Sequence, residues 1–165
     1  MLAYVFWHRP ADPVDSAGYE ARLAAFHDRL RAVAPAGFRE SAAFRVGALA
    51  WQPGGGYEDW YLVDDWTALG ALNAAAVDAQ HRPDHDAVAS LAGDGAGGVY
   101  KLLSGGLPLA DAGTARWLAE PPEATPADAD AALWQRQMVL GPAPEFCVLE
   151  RGADAAFHRL WPRQG

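Results

Sequence analysis

Short strands that are apolar on both faces constrain this chain more than any other feature. In an extended run, Leu2, Tyr4 and Phe6 point to one side and Ala3, Val5 and Trp7 to the other. Tyr57 and Tyr61 oppose Trp60 and Leu62 in the same way, and Val99 and Leu103 oppose Tyr100 and Leu102. An antiparallel sheet with one wet face alternates apolar and polar residues. A sheet built from these strands must be covered twice, because leaving rings such as Trp7 or Trp60 in water costs several kcal/mol at about 25 cal/mol per Å². Helices can cover one face. The other needs either a second copy of the chain or the C-terminal segment. A lone β-α-β piece is small for roofing four strands, so a homodimer is the expectation.

Between the strands lies one clear helix. Tyr19, Leu23, Phe26, Leu30 and Val33 recur at helical spacing after the capping candidates Asp15 and Ser16, and Pro35-Ala36-Gly37 ends the run. Phe38 to Trp51 reads as a strand, Pro53-Gly54-Gly55-Gly56 as a turn, and Tyr57 to Asp64 as the strand that completes a hairpin. Trp66 to Ala79 and Asp84 to Leu91 read as helices around Pro83. Gly93 to Gly98 reads as a loop and Val99 to Leu103 as a fourth strand. After residue 110 the pattern predicts a strand at Thr114 to Ala119 and a helix opened by Thr125-Pro126 and running to Leu140. A strand at Phe146 to Glu150 and a last helix at Ala153 to Leu160 follow. The expected fold is α+β: a βαββαβ unit over residues 1–110 with an antiparallel sheet, and a β-α-β extension over residues 111–165 packed on the same domain.

Charge and cysteine content exclude several functions. Acidic residues number 21 against 13 basic ones, a net charge of -8, and the basic residues are scattered, so nucleic acid is not an expected partner. No apolar run nears the ~18 residues that a membrane span needs. The single cysteine, Cys147, has no internal disulfide partner, which fits a reducing compartment and a cytoplasmic location. The abundance of alanine and arginine beside one lysine, Lys101, fits a GC-rich bacterial source.

The order of elements, with Glu58-Asp59-Trp60-Tyr61-Leu62-Val63-Asp64-Asp65-Trp66 followed by Ala79-Gln80-His81-Arg82-Pro83-Asp84-His85, resembles the dimeric α+β barrel superfamily. It is similar in particular to antibiotic-biosynthesis-monooxygenase-like proteins. The resemblance spans about Leu2 to Ser104. It implies a ferredoxin-like unit paired sheet to sheet with a second copy, and a cavity between helices and sheet. The superfamily includes cofactor-independent oxygenases, isomerases and haem-binding members, and the resemblance does not choose among them.

The candidate site residues are those able to move a proton or to line an aromatic pocket. His81 and His85, four residues apart, and His8 at the end of the first strand are the candidate acids and bases. Trp60, Tyr61, Trp7 and Tyr100 are the candidate aromatic lining, and Arg45 is the candidate partner for a carboxylate or enolate oxygen. The His81–His85 spacing also suits a metal on a continuous helix, but Pro83 interrupts it, so no metal and no cofactor is assigned. Three functional readings stay open at this point. One is a barrel that binds a small aromatic or enolisable molecule, as a cofactor-independent oxygenase or isomerase. Another is a non-catalytic scaffold or ligand sensor, and the third is a haem or metal binder.

Overall fold

A computed structural model describes residues 1–126, 129–139 and 143–162. Strand β1 (Leu2–Pro10) leads to helix α1 (Ser16–Ala32), the hairpin β2 (Phe38–Val46) and β3 (Gly56–Val63), helices α2 (Trp66–Ala76) and α3 (Arg82–Ala89), and strand β4 (Ala92–Gly105). These elements form the expected ferredoxin-like βαββαβ unit, with strand order β4-β1-β3-β2. Asp15 caps α1 by accepting from the Gly18 amide, and Asp65 caps α2 by accepting from the Ala68 amide. The helical stripe Tyr19, Leu23, Phe26 and Leu30 is buried against the sheet, as its spacing requires.

After a single 3-10 turn (Leu109–Asp111), the C-terminal third differs from expectation. It adds four strands: β5 (Ala112–Leu118), β6 (Ala131–Val139), β7 (Phe146–Arg151) and β8 (Phe157–Trp161). Most of the helix expected from Thr125 to Leu140 is therefore strand β6, while residues 127, 128 and 140 lie outside the described residues. The capping signal at Thr125-Pro126 is real local chemistry. It is overridden because β6 completes the open hydrogen-bonding edge of β4, from Gly98↔Val139 to Gly105↔Ala132. The expected last helix is replaced by β8, which pairs with the other edge strand, β2.

The result is one eight-stranded sheet in the order β5-β7-β6-β4-β1-β3-β2-β8. It curls until its two end strands, β5 and β8, lie against one another. Its concave interior is filled by Trp7, Phe44, Trp60, Tyr100, Trp134, Cys147, Leu149 and Phe157. The face expected to need a second copy is thus covered by the chain's own β5–β7 and β8. Four strands are large enough for what a single β-α-β unit could not do.

Two further expectations are corrected. Strand β2 stops at Val46, and beyond it Leu49 and Gln52 form only an isolated bridge. The glycine-rich stretch Gly93 to Gly98 is strand, not loop. Its glycines make room for rings from β1: a Cβ on Gly95 would sit 2.5 Å from Phe6 Cζ, and one on Gly97 would sit 2.9 Å from the Tyr4 hydroxyl. At the β5–β7 bulge, a Cβ on Gly113 would lie 1.7 Å from the Gly152 carbonyl oxygen, a backbone atom that cannot swing away. Gly113→Ala is expected to lower stability by about 2 kcal/mol or more, the scale of an overpacked site. A matching fall in the urea midpoint would record it; an unchanged midpoint would show that the β5–β7 pairing gives way at little cost.

Candidate functional site

Strand alternation splits the sheet's polar residues between two environments. On β3, Tyr57, Asp59, Tyr61 and Val63 face the helices, whereas Glu58, Trp60 and Leu62 face the barrel interior. On β1, Tyr4, Phe6 and His8 share the helix side and Trp7 lies in the interior. The helix side opens as a cleft of about 610 Å³ between sheet and helices. Tyr4, Phe6, His8, Asp59 and Tyr61 form its floor; α1 contributes Tyr19, Leu23 and Phe26; Trp66, Leu69, Asn73, His85 and Met138 stand around it. Tyr4 pairs across the sheet with Tyr61 and precedes Phe6 by two residues along β1. The ring centroids are 6.0 and 6.3 Å apart with near-parallel planes, so the floor is an aromatic row.

A connected polar chain runs beneath this row. His8, 2% exposed, places Nδ1 2.6 Å from the Tyr19 hydroxyl and Nε2 3.1 Å from Asp59 Oδ2. The Tyr61 hydroxyl donates to the same carboxylate oxygen at 3.1 Å. On the far side His27, fully buried, holds Nε2 3.7 Å from Asp59 Oδ1 and Nδ1 2.8 Å from the Ser41 hydroxyl. The tautomers that satisfy these neighbours let Tyr19 and Ser41 donate to Nδ1 of His8 and His27, with each Nε2 proton turned towards Asp59. The approach of His8 Nε2 to the carboxylate is off the hydrogen-bonding line, and Asp59 Oδ1 has no hydrogen-bond partner, so the carboxylate keeps unused acceptor capacity.

Burial alone would push the Asp59 carboxyl up. Attraction to His8 and then to His27, whose Nε2 atoms stand 3.1 and 3.7 Å from its oxygens, outweighs burial and holds Asp59 below the usual carboxylate range. Burial, and then the negative charge of Asp59, raise the phenols of Tyr4, Tyr19 and Tyr61, which stay protonated. The floor therefore carries a fixed anion, two imidazoles that face it, and phenolic donors.

The residues singled out from sequence fall in five places. His8 and Tyr61 belong to this floor. His85 stands at the rim, edge-on to Phe26 at 6.0 Å, with Nδ1 3.0 Å from Asp86 Oδ1. His81 lies outside the cleft: its Nδ1 meets Asp78 Oδ1 at 2.9 Å and its Nε2 meets the Val33 carbonyl at 2.8 Å, tying the α2–α3 junction to the end of α1. Arg45 is on the outer surface of β2, paired with Glu20, whose carboxylate also accepts from the Tyr57 hydroxyl at 3.0 Å.

Trp7, Trp60 and Tyr100 are in the barrel interior, on the opposite face from the cleft. There the two tryptophans serve Glu58, which is fully buried. Its Oε2 accepts from the indoles of Trp7 at 2.8 Å and Trp117 at 3.2 Å, and its Oε1 accepts from Trp60 at 2.6 Å. Burial raises this carboxyl to about 7 against the opposing pull of the three indole donors.

Sequence reasoning passed over Asp59, Tyr19 and Glu58 as functional groups. A signal for the two acids was present: consecutive carboxylates inside an aromatic strand must face opposite sides, and both sides are apolar. Tyr19 carried no such mark, because it fits the apolar stripe of α1. Among the described residues no group of three or more His, Cys, Asp or Glu is set to hold a metal ion, and no described helix is long and apolar enough to cross a membrane.

Comparison with known proteins adds little to this geometry. No protein-family model matches the chain, and no curated protein does. The resemblance to antibiotic-biosynthesis monooxygenases therefore has no counterpart among them. A solved structure from Bacteroides fragilis, described as a dimeric protein of unknown function and ferredoxin-like fold, aligns with 61% of this chain and 94% of its own at 11% identity and a TM-score of 0.46.

Proposed function

We propose that the cleft binds a small aromatic or enolisable molecule and that Tyr19, His8 and Asp59 move a proton to or from it, as an isomerase or a cofactor-independent oxygenase would require. The observation that carries this reading is the hydroxyl–imidazole–carboxylate chain at the floor of an aromatic cleft. When a bound substrate gives up an acidic C–H or O–H proton to the Tyr19 oxygen, the phenol passes its own proton to His8 Nδ1. The imidazolium formed lies beside the ionised Asp59, which stabilises it and keeps the ring oriented. Run backwards, the same relay returns a proton to the enolate.

The test uses an enolisable aromatic probe, 2-tetralone, in D₂O, with α-proton exchange followed by NMR. The protein is expected to accelerate exchange over matched buffer, and His8→Ala and Asp59→Asn to remove about 10²-fold or more of that acceleration, the usual share of a general base. His81→Ala is expected to leave the exchange rate of folded protein unchanged, because both its nitrogens are occupied outside the cleft. Binding of the probe without any acceleration would overturn the catalytic reading and favour a ligand sensor.

A further inference from the structure

The cleft's charge pattern is lopsided. Among the described residues its lining contains no lysine or arginine, and its only carboxylate is Asp59. That carboxylate is 2% exposed and held ionised; its Oδ2 accepts from Tyr61 beside His8, and its Oδ1 makes no hydrogen bond, with His27 Nε2 3.7 Å away. The two imidazoles in the lining offer an anion little. His8 has Tyr19 and Asp59 at its two nitrogens, and His85 has Asp86 at Nδ1. Around the carboxylate stand the rings of Tyr4, Phe6 and Tyr61, with the indole of Trp66 half exposed near them. The chain as a whole carries a net charge of -8.

A carboxylate or phosphate group entering this cleft would lose its water, meet Asp59 and find no lysine or arginine among the described lining. An ammonium would lose its water too, but would gain a buried counter-ion and π surface, the two features that make a desolvated cation tolerable. We propose that the ligand of this cleft is an organic cation, an aromatic or alicyclic frame bearing a protonated amine that is directed at Asp59. The proposal rests on the reading of the cleft as a small-molecule site, and it names the class of molecule that reading leaves open.

Three probes on one frame separate the two claims by calorimetric titration of the full chain: 2-naphthylmethylammonium, 2-naphthalenemethanol and 2-naphthoate. The ammonium is expected to bind at least tenfold more tightly than the alcohol, and the naphthoate not at all. Asp59→Asn is expected to bring ammonium and alcohol within about twofold of each other. Should Asp59→Asn fail to fold, Tyr4→Leu, at a half-buried position, is expected to weaken the ammonium more than the alcohol. Alcohol or naphthoate binding as tightly as the ammonium would overturn the selection for cations and leave the small-molecule reading standing. Absence of binding by all three would overturn both.

Discussion

A chain ended after Gly106 is expected not to persist as a folded single chain. The cut removes β5 to β8 and the interior residues Leu107, Leu109, Trp134, Cys147, Leu149 and Phe157, leaving Trp7, Phe44, Trp60 and Tyr100 on an open sheet face. All four are at most 1% exposed in the full chain. Aromatic side chains bury about 150–250 Å² each, so at ~25 cal/mol per Å² even half of the area of four rings is worth about 10 kcal/mol. That equals the whole net stability of an ordinary domain, about 5–15 kcal/mol. Light scattering should therefore find the truncated chain aggregated or paired through that face. A monodisperse monomer with native far-UV and near-UV circular dichroism would show that the C-terminal strands are not needed as cover.

The same physics explains how far the sequence could be read. Two-faced strands correctly demand two layers of cover, and the demand is visible in Leu2 to Trp7 alone. The supplier of the second layer is not visible, because it depends on whether residues 125 to 140 become helix or strand. Thr125-Pro126 opens a good helix locally, yet an unpaired β4 edge fourteen residues long offers a neighbouring segment more than an isolated helix can gain. Gly93 to Gly98 misleads for a related reason. Glycine marks a loop by propensity, but here it marks a strand over which Phe6 and Tyr4 lie, a contact no local window contains.

The candidate site was legible in part, and the limit was strand phase. Glu58-Asp59-Trp60-Tyr61 contains an acid and an aromatic for each face. Until the phase is known, Trp60 and Tyr61 seem to belong to one pocket. In the structure Tyr61 donates to Asp59 beneath the cleft, while Trp60 donates to Glu58 in the barrel, so one aromatic set becomes two buried carboxylate sites back to back. His8 stands out in the sequence because a histidine at the end of an aromatic strand is chemically conspicuous. Its partner Tyr19 was hidden among the apolar residues of α1.

Glu58 should govern how stability responds to pH, and its replacement should be among the most damaging single changes in the protein. Its carboxylate is the acceptor for indoles from β1, β3 and β5, so it joins the N-terminal sheet to the C-terminal cover. Glu58→Ala leaves two buried N–H donors and a partly buried one without an acceptor and opens a cavity. At about 1–3 kcal/mol per orphaned group, a loss of about 4 kcal/mol is expected. Glu58→Gln keeps the shape and one acceptor oxygen, and should cost less than half as much.

The pH effect follows from the carboxyl's rise from 4.5 to about 7 on folding. Between those values the native state binds more protons than the unfolded chain, so stability is greatest below about 4.5 and falls as pH rises through about 7. The drop is about 3 kcal/mol, taking 1.36 kcal/mol per pKa unit over the rise from 4.5 to about 7. Asp59 acts in the opposite sense and in another window, because its depressed carboxyl contributes stability that is lost only as pH falls below the ordinary aspartate range. Urea titrations of wild type and Glu58→Gln between pH 4.5 and 8, followed by tryptophan fluorescence, isolate the Glu58 contribution as a difference in which Asp59 and the histidines cancel. A wild-type curve that descends relative to the variant by about 3 kcal/mol places the titrating carboxylate among the indoles. Parallel curves would mean that Glu58 keeps one protonation state across the range, and that the three indoles hold it charged in spite of its burial.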